Sequence, residues 1–102
     1  MNIDRVFASL ADPTRRQVLE ALGRRPASSA TALASEVPVS RQAVVKHLGV
    51  LRDSQLVASR RAGKEVLFSV RPESLMATAS WMTNLASSWQ ERLQLLKQAA
   101  ER

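Results

Sequence analysis

The chain has 102 residues, 45% of them hydrophobic, no cysteine and a net charge of +6. That length supports one compact domain with a modest core and leaves no room for two. The lack of cysteine argues against a disulfide-stapled secreted fold and for a cytoplasmic protein; no apolar run reaches membrane-spanning length, and Met1-Asn2-Ile3-Asp4 does not open a signal peptide.

In chain order, Ile3, Val6, Phe7 and Leu10 fall at i, i+3, i+4 and i+7 and predict a short first helix. Asp12-Pro13 is a cap followed by a residue suited to the first helical position, so a second helix starts there. It buries Val18, Leu19 and Leu22 and ends at Gly23. Ala27-Ser28-Ser29 suits a single strand bridge. Ser29 also caps a third helix over about Ala30 to Glu36, with Leu33 and Val37 inward, before Pro38-Val39 breaks the chain. Ser40 caps a fourth helix, Arg41 to Asp53, whose inner stripe is Val44, Leu48 and Leu51. Leu56 to Arg61 and Glu65 to Val70 read as strands joined through Ala62-Gly63-Lys64, where glycine permits the positive φ of a tight turn. From Glu73 to Ala100 the pattern is one long helix. Leu75, Ala79, Met82, Ala86, Trp89, Leu93, Leu96 and Ala100 form a heptad seam, and Trp81, Leu85 and Leu95 form a second stripe. Such a helix is about 40 Å long, more than a body this small can cover. Part of it therefore requires another chain; otherwise it packs only on its own core.

The expected fold is mainly α with a β wing: about five helices and a two-stranded hairpin, one winged helix-turn-helix domain over residues 1–102. The charge agrees with that reading. Residues 41–71 hold seven Lys/Arg and two Asp/Glu, five of the six net charges, the footprint of a polyanionic partner or of a solvated basic face. In a helix-turn-helix the second helix lies in the major groove with its N-terminal residues at base edges. Gln42 can pair with adenine and Arg41 with guanine or phosphate. Lys46 suits phosphate, and Ala43 or Val45 a thymine methyl. Ser40 and the helix start can hold a phosphate oxygen, and Gly49 allows close approach of a backbone. Arg60, Arg61 and Lys64 on the wing can reach phosphates or the adjacent minor groove.

These residues also carry a family resemblance. Leu10-Ala11-Asp12-Pro13-Thr14-Arg15-Arg16 with Leu19 and Leu22 resembles the opening of ArsR/SmtB-type bacterial regulators. So do the run from Val39 to Leu51 and the wing string Leu56-Val57, Arg60-Arg61, Gly63-Lys64. The resemblance spans essentially the whole chain. It implies a homodimer formed by the first and last helices (Ile3, Val6, Phe7, Leu75, Met82, Trp89, Leu93 and Leu96), operator DNA read by Ser40–Gly49, and repression. Metal-sensing members carry cysteines in the third helix, or Asp and His on the last. Here those places hold Ala30-Thr31-Ala32-Leu33-Ala34 and, on the last helix, only Glu73, Glu91 and Glu101 as acids. No metal site or other cofactor is therefore expected, and the effector is left open. Val45 stands where a small polar residue is common, which bears on base preference.

Simpler readings compete at several positions. His47, the single histidine, lacks metal-ligand partners; it reads as a half-buried helix residue that bonds backbone or touches a phosphate. Arg15 and Arg16 suit phosphate, or ion pairs with Asp12 or Glu20. Arg24-Arg25 reads as a solvated loop pair, and Arg52 as a complement to its helix dipole. Trp81 and Trp89 suit core or dimer contact more than a ligand pocket. An enzyme is not expected: there is no P-loop, Rossmann glycine pattern or nucleophile elbow. The remaining alternatives are a winged-helix protein–protein adaptor and a non-specific DNA binder; RNA binding lacks the exposed aromatics that stack bases.

Overall fold

The computed structural model describes residues 2–101. Helices α1 (Ile3–Leu10), α2 (Pro13–Leu22), α3 (Ala30–Ala34) and α4 (Arg41–Asp53) enclose one core. Strands β2 (Val57–Ala62) and β3 (Glu65–Val70) form the hairpin, β1 (Ser28–Ser29) adds a third strand, and α5 (Glu73–Ala100) closes the chain. The sheet is antiparallel in the order β1-β3-β2, with Ser28 opposite Phe68 and Val57 opposite Val70.

Side chains set the helix starts. Asn2 accepts from the Arg5 N–H, Ser29 from that of Ala32, and Ser40 from that of Ala43, each satisfying a donor that helical bonding leaves free. Asp12 Oδ1 accepts from the N–H groups of Thr14 at 2.8 Å and Arg15 at 3.2 Å. The Arg15 N–H is the main reason the Asp12 carboxyl titrates below its ordinary value, helped by the Thr14 N–H and the charges of His47 and Arg15. The stability linked to this cap is therefore present above the ordinary carboxylate range and fades as pH falls through the lowered value. The third helix stops at Ala34 rather than running to Glu36. Ser35 turns its hydroxyl back onto the Ala32 carbonyl at 2.7 Å and its N–H onto the same region, which ends the ladder there.

Strand β2 begins at Val57, one residue later than Leu56, because Leu56 belongs to the cap of α4. Its N–H donates to the Leu51 carbonyl and that of Gln55 to the Arg52 carbonyl, both at 3.0 Å, while Gln55 takes φ 63°. This is a Schellman closure, with the usual apolar contact between Leu56 and Leu51, both buried. A non-glycine residue pays for the left-handed conformation there. Gln55→Gly is expected to stabilise the fold by about 0.5–1 kcal/mol, raising Tm by several degrees in a thermal melt. A lower Tm would show that the Gln side chain contributes more than its backbone costs. At the hairpin tip Ala62 pairs with Glu65, so Gly63 (φ +63°) and Lys64 form a two-residue loop. Positive φ at its first position alone fits a type II′ turn.

The core joins Val6, Val18, Leu22, Leu33, Val44, Leu48, Leu51 and Leu56, all essentially solvent-free, with Phe68 from the hairpin. Val6, expected on a dimer face, is 0% exposed within a single chain and so offers nothing to a partner. The arginines beyond the first helix serve the backbone: Arg15 donates to the Ala8 and Ser9 carbonyls at 3.4 and 3.0 Å, and Arg16 to that of Leu10. They satisfy the end of α1, which has no basic residue in its own last turn. Arg15 also lies 3.9 Å from Asp12. Arg25, expected to be solvated, pairs with Glu36.

Helix α5 leaves the body. It touches α1, where Phe7 and Trp81 meet edge to face at 6.0 Å, and then projects so that the molecule measures 70 × 24 × 21 Å. Its two apolar stripes do not divide cleanly: Trp81 and Leu95 of the second are 46% and 66% exposed, as open as the heptad seam. Ser74 and Thr78 are buried on the body and Leu85 is half-buried. The heptad seam faces outward, with Met82 45%, Trp89 55% and Leu93 66% exposed. Among the described residues, no helix is long and apolar enough to cross a membrane.

Candidate nucleic-acid interface

The fourth helix is held from one side only. Val44, Leu48 and Leu51 are 0% exposed; truncating one of these leucines to Ala would cost about 2–5 kcal/mol through lost transfer energy and the cavity left behind. This anchoring fixes where every other side chain of α4 points. Gln42, Lys46, Gly49 and Asp53, spaced four, three and four, lie on the side away from the core. Arg41, Val45 and Arg52 turn toward the hairpin and line one groove with it. Ala43, His47 and Val50 are half-buried along the opposite flank.

The predicted residues are therefore brought together, with distinct orientations. Gln42 and Lys46 are exposed on the outward stripe. Arg41 is drawn aside: its Nε donates to Thr31 Oγ1 at 2.9 Å, tying the fourth helix to the third. Ser40 spends its hydroxyl on the Ala43 N–H at 3.2 Å. Among the described residues His47 Nδ1 is buried without a hydrogen-bond partner, near enough to Asp12 to influence its carboxyl, so the ring belongs to the flank facing the second helix. Asp53 ends the outward stripe with a negative charge, and the exposed polar residues Gln42 and Lys46 stand in its first two turns.

The wing residues separate by the two-residue period of a strand. Arg61 pairs with Val66 and Ser59 with Phe68, whose ring enters the core, so Arg61 stands on the pleat face turned to α4. Arg60 pairs with Leu67 on the opposite face, and Lys64 stands at the tip. Two signals escape sequence reading: the pleat face of each wing arginine, and the place of Arg52 beside the groove.

A short helix, a tight turn, an N-capped second helix borne outward on the core and a basic hairpin at its side define a winged helix-turn-helix DNA-binding protein. The comparisons narrow the class. A family model described as a helix-turn-helix domain matches residues 10–60. The HTH-type transcriptional regulator Rv2034 of Mycobacterium tuberculosis is 39% identical over 90 residues, covering 88% of this chain and 80% of that protein. The transcriptional repressor SdpR of Bacillus subtilis is 27% identical over 82 residues, covering 80% and 90%. A solved ArsR-like transcriptional regulator from Rhodococcus sp. RHA1 superposes with a TM-score of 0.87 at 40% identity, covering 96% of this chain and 92% of its own. The chain belongs to the ArsR/SmtB family of winged helix-turn-helix transcriptional regulators.

Proposed function

We propose that the protein is a homodimeric repressor that acts in the cytoplasm by occupying a pseudo-palindromic operator, without a metal cofactor. The observation that carries this reading is the division of exposed surface. Gln42 and Lys46 stand outward on a rigidly seated helix beside a basic wing, while the apolar seam of α5 stands uncovered on another side. Residues 1–102 act as one domain in this reading. Ile3 and Phe7 flank the seam, and Leu75, Met82, Trp89, Leu93 and Leu96 are buried between protomers. An antiparallel pairing of two such helices places the reading helices toward opposite ends of a rod about 40 Å long, commensurate with the ~34 Å between successive major grooves on one face of DNA. The description of one relative as a repressor supports the direction of control. The cysteine-free sequence supports metal independence.

Gly49 supports close approach to DNA. A Cβ added there meets nothing within 4 Å, so the fold itself does not require a glycine. Gly49→Ala is expected to stabilise the protein by about 0.8–1.0 kcal/mol through helix propensity and at the same time to weaken DNA binding. A variant that gains stability and keeps full affinity would remove Gly49 from the interface.

The test of the function is binding of the purified protein to DNA upstream of its own gene at several salt concentrations, with unrelated DNA as competitor. The expected result is a footprint over an inverted repeat that resists competition. Equal, weak binding to every DNA would instead identify a general DNA-coating protein, and no binding an adaptor.

A further inference from the structure

The groove between α4 and the wing holds about 460 Å³, and the sequence patterns give it no role. We propose that it seats one strand of the DNA backbone, with Arg52 as a phosphate ligand; the proposal rests on the DNA-binding reading above.

Arg52 lies in the last turn of α4, where a helix dipole alone would explain a cation. Its side chain does something further. It reaches across to the hairpin, where Nη1 approaches Ser59 Oγ at 3.5 Å. Ser59 shares a pleat face with Arg61, so the guanidinium is carried to the side of the wing that faces α4. Arg41 stands at the other end of the same helix side, about 16 Å away along the axis, and Lys64 closes the rim from the tip. Among the described residues Arg52 makes no ion pair, so its charge is available to an outside anion. The one carboxylate on the rim, Glu65, pairs with Ala62 on the other pleat face.

The interior of the groove says which anion. Between the cations lie Val45 and Val66, 43% and 39% exposed, with Phe68 behind them. A small free anion would satisfy the arginines and leave this apolar surface in water. A nucleic-acid strand alternates anionic phosphates with the carbon face of deoxyribose, and so matches cations at the ends and an apolar floor between them. The contact carries no sequence information; it fixes how far the wing lies from the helix axis of the DNA, and thereby the register in which Gln42 meets the bases.

The test uses the full chain on its footprinted operator and on unrelated DNA, comparing Arg52→Ala, Arg52→Lys and Lys97→Gln, the last removing a charge at the far end of α5. Arg52→Ala is expected to lose affinity several-fold on both DNAs and to flatten the slope of log K against log salt by about 0.9 for each protomer bound, about 1.8 for the dimer. Arg52→Lys should keep most of that slope, and Lys97→Gln all of it. Neutralising operator phosphates singly as methylphosphonates should reveal one that weakens the wild type and leaves Arg52→Ala unaffected. Matching far-UV spectra establish that the variants fold. A slope for Arg52→Ala equal to that of Lys97→Gln overturns the proposal, as does a loss confined to the operator. A wild-type protein that binds no DNA overturns it together with the DNA-binding reading.

Discussion

Met82→Glu and Leu93→Glu are each expected to convert the protein from a dimer to a monomer while leaving the protomer folded. In the single chain both side chains are open to water, at 45% and 66% exposure, so a carboxylate there costs the monomer little. In the proposed dimer the same carboxylate enters an apolar seam, and two-fold symmetry introduces it twice. Burying an ion without a partner carries a penalty of several kcal/mol even after relaxation. The dimer dissociation constant should therefore rise by roughly three orders of magnitude or more. Operator affinity should fall with it, because each half-site would then be bound without the gain of linkage. Sedimentation velocity reads the assembly and a thermal melt reads the fold. A contrasting variant, Leu85→Glu, places the charge on the one half-buried residue of the second stripe and should lower the melting temperature of the protomer itself. A dimer that survives both seam substitutions would show that the heptad seam is not the interface.

The seam illustrates what the sequence makes legible. Its period of 4 and 3 is visible in the residues, and so is the second stripe, but not which residues of α5 the body takes. The structure decides through Ser74 and Thr78, which are buried although neither is apolar. Small side chains let α5 lie close, and Thr78 satisfies its hydroxyl on the Ser74 carbonyl at 2.8 Å. Ser9 and Ser54 do the same between α1 and the end of α4, where their hydroxyls meet in the core. Hydrophobic periodicity does not detect contacts of this kind, because the signal is smallness combined with a satisfied polar group. The fourth helix is the opposite case. Ser40, the stripe Val44-Leu48-Leu51 and the residues that follow give its bounds directly, because a cap and a buried face are local features. Its C-terminal closure at Gln55 is hidden, since the residue that takes the left-handed conformation is neither Gly nor Asn. Arg52 and Lys64 are legible as charges but not as partners in one site; only the fold of the hairpin back along α4 brings them to one groove. Arg15 and Arg16 are legible as cations of a family motif, yet their work on the α1 carbonyls depends on the turn between α1 and α2.

Gln42→Ala is expected to change what the protein reads more than whether it binds. Gln42 lies in the first turn of α4, exposed and outward, where a carboxamide can donate to and accept from an adenine edge at once. Losing such a pair costs about 1–3 kcal/mol at one base position, a factor of roughly five to over a hundred in each half-site. The loss should vanish on an operator already altered at that position. It should also leave the salt dependence unchanged, because no phosphate contact is removed. The side chain supports no part of the core, so the melting temperature should stay within about a degree or two. Affinity measured on a set of operators substituted one base pair at a time resolves these outcomes. If the variant loses the same factor on every sequence, Gln42 touches backbone and not bases, and base reading would then have to fall to Lys46 on the same outward stripe. The proposed division of labour is thus open to direct measurement: Gln42 would set preference among sequences, and Arg52 with the wing affinity for any sequence. Both depend on Val44, Leu48 and Leu51 holding one helix in one orientation.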